Sequence, residues 1–205
     1  MTTTIHLARH GQTPWHAENR YAGVSDIPLN AVGREQAGAL AQWADTEDLG
    51  LVASSGLMRA ASTAAEVAAV AGLEHVVDDR LREVGFGRAE GMTRREMSEA
   101  FPEDLQRFLR APASNPLPGG EAGQDAASRF LAAITDLAER SPFPVLVVAH
   151  TTLIRLGLSA LLGLPLDGYR TRFPELGNGT ITTVRSVGTS GFTDGAALLR
   201  YNAPL

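Results

Sequence analysis

Ile5-His6-Leu7-Ala8-Arg9-His10-Gly11 is the stretch that decides the fold. Its first residues form a short apolar run that reads as a buried strand, and Gly11 breaks it. A histidine at a strand's end, between an arginine and a glycine, stands like a nucleophile. The imidazole can attack phosphorus. The guanidinium of Arg9 can hold a phosphate by two parallel hydrogen bonds, and Gly11 lets the backbone come close to an anion. The same logic returns at Val145-Leu146-Val147-Val148-Ala149-His150-Thr151, an apolar run without alternation, as a central strand requires. There a histidine again ends the run and a helical pattern begins at once.

Working outward, strand-like runs fall at 3–9, 49–54, 74–79, 144–149, 180–187 and 196–201. Helical patterns fill 32–44, 59–71 (closed by Gly72), 126–140 and 151–162 (closed by Gly163). This alternation predicts an α/β fold: three layers, with a mainly parallel, doubly wound sheet covered on both faces. The segment 86–124 breaks the rhythm. Thr93-Arg94-Arg95-Glu96 has the spacing of a capping box, Pro102 suits the first turn of a second short helix, and a loop rich in proline and glycine follows. We read it as a small helical insertion within a single domain spanning 1–205, laid as a cap over strand C-termini, where such folds bind ligands.

Composition narrows the chemistry. The 205 residues carry a formal net charge of -5 with no basic block, which gives no reason to expect nucleic acid or an anionic membrane as partner. All 18 basic residues are arginine, so Schiff-base and P-loop lysine chemistry are excluded. There is no cysteine, which removes thiol nucleophiles, disulfides and thiolate metal sites and fits a cytoplasmic protein. His16-Ala17-Glu18 lacks the cysteine pair that a deaminase zinc site needs, and no Gly-x-Gly-x-x-Gly follows a strand. The start of the chain has no charged segment followed by a long apolar run, so no targeting or spanning segment is expected.

Two more residues join the histidines. Arg59 follows the strand-like run at 49–54 and opens a helix; Glu83 follows the run at 74–79. If these strand ends converge, His10 is the nucleophile, and Arg9, Arg59 and His150 neutralise the non-bridging oxygens of a phosphoryl group. The first N–H groups after His150 would face the same anion. Glu83 would protonate the leaving alkoxide and then activate water. Each assignment has a plainer rival: histidines that merely cap strands, an arginine capping a helix, a glutamate in a surface ion pair with Arg80 or Arg82. Glu90 is a rival acid, and His6 and His75 read as structural.

With these residues in view, the chain resembles the first branch of the histidine phosphatase superfamily, the phosphoglycerate mutase-like family. The resemblance rests on Arg9 to Thr13, on Asp26-Ile27-Pro28-Leu29-Asn30 with Gly33 and Gln36-Ala37, and on Ser55 to Thr63 around Arg59. It continues through Leu81-Arg82-Glu83 with Glu90-Gly91, Pro118-Gly119-Gly120-Glu121, and Val147 to Arg155, and so spans residues 5 to 185. It implies a covalent phosphohistidine on His10, no metal or other cofactor, and a phosphate pocket of Arg9, Arg59 and His150. Two positions depart from the family pattern: His16 stands where an asparagine is usual, and Thr151 where a glycine is usual.

The expected substrate is a small-molecule phosphate ester. Gln12, Thr13, His16, Arg20, Tyr21, Ala22, Gly23 and Thr151 are the candidate substrate-binding residues, with Arg88, Arg94, Arg95, Arg107 and Arg110 of the insertion as outer candidates. The leading expectation is a metal-independent phosphatase. A phosphoglycerate-type mutase would use the same His10 and Glu83, and a non-catalytic phosphate-binding module would keep the pocket without turnover. Trp15, Trp43 and Leu57-Met58 are candidate contacts of a homo-oligomer.

Overall fold

Strands β1 (Thr4–Arg9), β2 (Leu51–Ser54), β3 (His75–Val77), β4 (Val145–Ala149), β5 (Ile181–Ser186) and β6 (Ala196–Ala203) form one sheet in the computed structural model, which describes residues 2–205. Their order is β3-β2-β4-β1-β5-β6. The pairs β3/β2, β2/β4 and β4/β1 are parallel, and β5 runs antiparallel to both neighbours. The sheet is therefore mixed, with the expected parallel part at its centre. The run at 74–79 yields only a three-residue edge strand, because the chain turns at once into a 3-10 turn over Asp79–Leu81, capped by Asp78 accepting from the Arg80 N–H.

Among the described residues seven α-helices accompany the sheet: α1 (Ala31–Ala44), α2 (Met58–Ala71), α3 (Arg94–Ala100), α4 (Pro102–Arg110), α5 (Gly123–Glu139), α6 (Thr151–Leu161) and α7 (Tyr169–Arg172). Alternation along the central strands sorts the core into two layers. Ala8, Val52, Leu146 and Val148 face α1 and α2; Ile5, Leu7, Ala53, Val145 and Val147 face α5 and α6. The insertion does not pack on its own. Met97, Phe101, Leu105 and Phe108 of α3, α4 and the joint between them enter the same core as α5 and α6. The Thr93–Glu96 capping box forms, and Pro102 occupies the first turn of α4.

Gly11 has a different purpose from the one expected. A Cβ there would lie 2.3 Å from the Gly33 carbonyl oxygen, and one on Gly33 would lie 2.1 Å from that of Gln12. The two glycines let the turn after β1 lie directly against the first turn of α1, rather than opening space for an anion. Asn30 completes the junction by accepting from the Gly33 N–H at 2.8 Å and donating to the Gln12 side chain at 2.9 Å.

Candidate active site

The register of β1 against β4 sets Arg9 opposite Ala149, so His10 and His150 leave neighbouring parallel strands side by side. Their ring centroids are 5.1 Å apart. The His10 main chain is fixed from both sides: its N–H donates to the Ala149 carbonyl at 3.1 Å, and its own carbonyl accepts from Asn178 Nδ2 at 2.7 Å. Its ring Nδ1 lies 2.7 Å from the Gly11 carbonyl. Only a protonated Nδ1 can donate there, which leaves the lone pair on Nε2. Burial, reinforced by the guanidiniums of Arg9 and Arg59, holds the His10 pKa well below its ordinary value, so the ring is neutral at neutral pH.

His150 is fully buried and neutral for the same reasons, burial first and then Arg59. Its Nε2 meets Ser55 Oγ at 2.7 Å, and its Nδ1 has no partner. Arg59, also without exposed surface, donates to the carbonyls of Ser25 (2.8 Å), Gly23 (2.7 Å) and Ala22 (3.3 Å). The loop that offers these carbonyls is pinned by Glu90, whose carboxylate accepts the N–H groups of Gly23, Val24, Ser25 and Phe86. That bonding accounts for Glu90 and removes it as a rival acid.

Arg9 donates from Nη1 to the Leu176 carbonyl at 2.8 Å and from Nη2 to His16 Nε2 at 2.7 Å. His16 therefore faces Arg9 as an acceptor. Burial and the adjacent guanidinium lower its pKa to about 4, so it adds no positive charge to the pocket at neutral pH. Burial brings the pKa of Arg9 down to about 10, which leaves it cationic.

Glu83 is 2% exposed and makes no ion pair, because Arg80 is engaged by Asp78 and Asp136; the surface-pair reading fails. Its Oε1 accepts from the N–H groups of Val84 and Leu153, each at 2.9 Å, and its Oε2 from that of Thr152 at 2.9 Å. The first amides of α6 thus hold a carboxylate of the protein, not the substrate phosphate expected from sequence. The main chain around Glu83 is clamped by Arg129, which donates to the carbonyls of Arg80, Arg82 and Glu83 and pairs with Glu121. This explains the Gly-Gly-Glu motif at 119–121 as support for the segment bearing Glu83.

A cavity of about 270 Å³ opens over these groups. Arg9, His10, Thr13, His16, Arg20, Tyr21, Ala22, Glu83 and Thr151 of the expected set line it; the buried Arg59 and His150 are not among its lining residues, although the His150 ring lies beside that of His10. Gln12 and Gly23 do not line it: the Gln12 N–H is taken by Gln36, and the Gly23 carbonyl by Arg59. Of segment 86–124 only Phe86 reaches the cavity; Arg88, Arg94, Arg95, Arg107 and Arg110 are all exposed elsewhere. Sequence reasoning missed Trp15, Asn19, Thr152, Arg155 and Arg170 as wall residues. Arg155 was within reach, since it lies one helical turn past Thr151 on a helix that starts at the site. Arg170, on a four-residue helix, gave no signal.

Four buried side-chain nitrogens lack a hydrogen-bond partner among the described residues: Arg9 Nε, Arg59 Nε, His150 Nδ1 and Arg155 Nε. All four belong to this site. Buried polar groups are otherwise satisfied in native proteins, so such a cluster marks where a polar ligand completes the structure.

A family model described as histidine phosphatase superfamily (branch 1) matches residues 5–194. Phosphoserine phosphatase 1 of Hydrogenobacter thermophilus is 34% identical over 164 residues, 80% of this chain and 78% of that one. Glucosyl-3-phosphoglycerate phosphatase of Mycolicibacterium vanbaalenii is 37% identical over 171 residues, 80% and 76% of the two chains. The solved native structure of a mycobacterial glucosyl-3-phosphoglycerate phosphatase superposes with a TM-score of 0.90 at 30% identity, covering 100% of both chains. The chain belongs to the histidine phosphatase superfamily, branch 1, and this membership together with its phosphatase-named relatives supports a phosphatase as its enzyme class.

Proposed function

We propose that the chain hydrolyses small phosphate monoesters through a phosphoryl group carried on His10. The observation that carries this reading is the neutral His10 ring, with Nδ1–H committed to Gly11 and the Nε2 lone pair free, set among orphaned nitrogens of Arg9, Arg59 and His150. Nε2 attacks phosphorus, the P–N bond forms and the ester P–O bond breaks. Charge spreading over the non-bridging oxygens meets the guanidiniums of Arg9 and Arg59 and the imidazole of His150. Glu83 Oε2, which accepts one amide where Oε1 accepts two, keeps a site for the proton passed to the leaving alkoxide. Water then loses a proton to the same oxygen and attacks phosphorus; the P–N bond breaks and neutral His10 returns. Thr13, His16, Ala22 and Thr151 complete the wall around the phosphoryl position. The relatives named for phosphoserine and glucosyl-3-phosphoglycerate support a small phosphorylated metabolite as substrate.

The test is turnover of an aryl phosphate and of 3-phosphoglycerate by the wild type and by His10→Ala. Wild-type enzyme should release inorganic phosphate from both, and His10→Ala should lose at least about 10⁴-fold in kcat, the scale of removing a covalent nucleophile. Acid-labile phosphate trapped on the peptide bearing His10 supports the reading. Equal rates for the two proteins, a label on another side chain, or 2-phosphoglycerate formed without phosphate release would overturn it.

A further inference from the structure

Four arginines line the cavity, and they are not equivalent. Arg20 is neutralised by Glu18 (2.7 Å) and Glu96 (3.0 Å). Arg9 belongs to the phosphoryl position. Arg155 and Arg170 make no ion pair among the described residues. Arg170 is held flat by its surroundings: its guanidinium lies 4.6 Å from the Phe108 ring centroid and 5.6 Å from that of Tyr169. It donates to the Tyr169 hydroxyl at 3.0 Å and to that of Tyr21 at 3.4 Å. Arg155 sits 5.3 Å from the Tyr169 ring centroid, and its Nη2 makes only long bonds to the carbonyls of Arg170 (3.5 Å) and Pro174 (3.3 Å). Its buried Nε is the one orphaned nitrogen of the site that the phosphoryl chemistry does not use.

Charge accounting points the same way. A phosphate monoester dianion is matched by Arg9 and Arg59. The one carboxylate among the lining residues, Glu83, is held by three amides and, among the described residues, makes no ion pair with either remaining arginine. Two like charges braced against one tyrosine, with unspent donors, cost free energy until an anion arrives. A flat, pre-ordered guanidinium recognises a planar carboxylate with two parallel hydrogen bonds at little further entropic cost.

We propose that Arg155 and Arg170 form a second anion subsite that binds a carboxylate on the leaving group, so that the enzyme selects phosphorylated small acids over neutral phosphate esters. This rests on the His10 phosphatase reading above. The Tyr21 hydroxyl and the aromatic stack on Tyr169 and Phe108 are positioning groups that fix the plane of Arg170.

Glycerol 3-phosphate and 3-phosphoglycerate differ at one end, CH₂OH against a carboxylate, and serve as the probe pair. Wild-type kcat/KM should favour 3-phosphoglycerate by about 100-fold, since a site built for a charged partner strongly rejects the analogue lacking it. Arg170→Gln and Arg155→Gln should each collapse that ratio towards unity, mainly through KM for the acid, and Arg170→Lys should restore part of it. A wild-type ratio near unity overturns the subsite even if neither variant folds. So does a ratio that survives in both variants. Loss of all turnover in the wild type, including that of an aryl phosphate, would instead strike the His10 reading, so the two failures are distinguishable.

Discussion

The floor and the mouth of the cavity are built on different principles. At the floor, His10, Glu83, Arg59 and His150 are 5%, 2%, 0% and 0% exposed, and they are fixed largely by the main chain: sheet register, the carbonyls of Gly11 and of the 22–25 loop, the first amides of α6, with the Ser55 hydroxyl on His150. At the mouth, Arg20, Tyr21, Arg155 and Arg170 are half-buried and hold one another largely by side-chain stacking and hydroxyl bonds. The floor is thus preorganised for charge that develops in a transition state, where rigidity lowers the barrier. The mouth can exchange leaving-group preference by a single side chain without disturbing the sheet.

The comparison breaks first at Glu83. Beyond the loss expected for His10, Glu83→Gln should lower kcat by about 10²–10³-fold on an alkyl phosphate, within the range of a lost general acid. The loss should be several-fold smaller on p-nitrophenyl phosphate, whose leaving group needs no proton in the first step. An identical loss on both substrates would reassign Glu83 to holding α6 and Arg9 rather than to proton transfer.

Arg59 separates architecture from chemistry at the floor. Its guanidinium satisfies three carbonyls of the 22–25 loop, and in the proposed chemistry it also neutralises the phosphoryl group. Arg59→Met should cost roughly 3 kcal/mol or more in urea unfolding, the scale of leaving buried polar groups unpaired, and activity should fall with it. Unchanged stability would mean that water replaces the guanidinium, and would make the floor less rigid than drawn here.

The floor was legible in the sequence, as were Arg20 and Tyr21 of the mouth, but Arg155 and Arg170 were not, for a physical reason. His10, Arg59, Glu83 and His150 each sit just past the end of a strand or a strand-like run; their convergence was an inference about topology, strengthened by the family resemblance. Gly11 shows the limit of that reasoning: a glycine beside a nucleophile invites an anion, yet the backbone it makes room for is that of Gly33. Asn178, which fixes the His10 carbonyl, comes from the loop before β5, and no local pattern links it to β1. Arg170 lies on a single helical turn, and its importance arises only from stacking on Phe108 of the insertion. The insertion was expected as a cap; it instead braces the wall from behind, with only Phe86 at the cavity.

The histidines at and around the floor also predict a pH signature that the named mouth residues, none of them a histidine, do not share. His10, His16 and His150 all titrate below the ordinary histidine value, burial being the largest cause in each, and His16 does so near pH 4. Below pH 6.5 the unfolded chain takes up protons that the folded chain refuses. Their contribution to stability is therefore complete above pH 6.5 and is lost as pH falls below it, for His16 towards about 4. Melting temperature should decline across that window, and His16→Asn should make the decline shallower by removing one such group. Parallel curves for wild type and variant would show that His16 is not held neutral by burial beside Arg9.

The smallest expected effect sharpens the contrast from outside the cavity. Arg95 lies in the insertion and was an outer candidate for the mouth on sequence grounds, whereas Arg170, which stacks against the insertion, gave no signal. Arg95 pairs with Glu99 across one turn of α3 at 3.0 Å, with the two side chains 77% and 64% exposed. An exposed pair of this kind contributes about 0.3–0.5 kcal/mol. Arg95→Ala should shift urea unfolding by no more than that and leave kcat/KM for 3-phosphoglycerate unchanged, while Arg170→Gln lowers it. If Arg95→Ala weakened turnover of the acid as Arg170→Gln does, carboxylate selection would belong to the general positive field of the insertion, and the wall formed by Tyr21, Tyr169 and Phe108 would lose its claim to it.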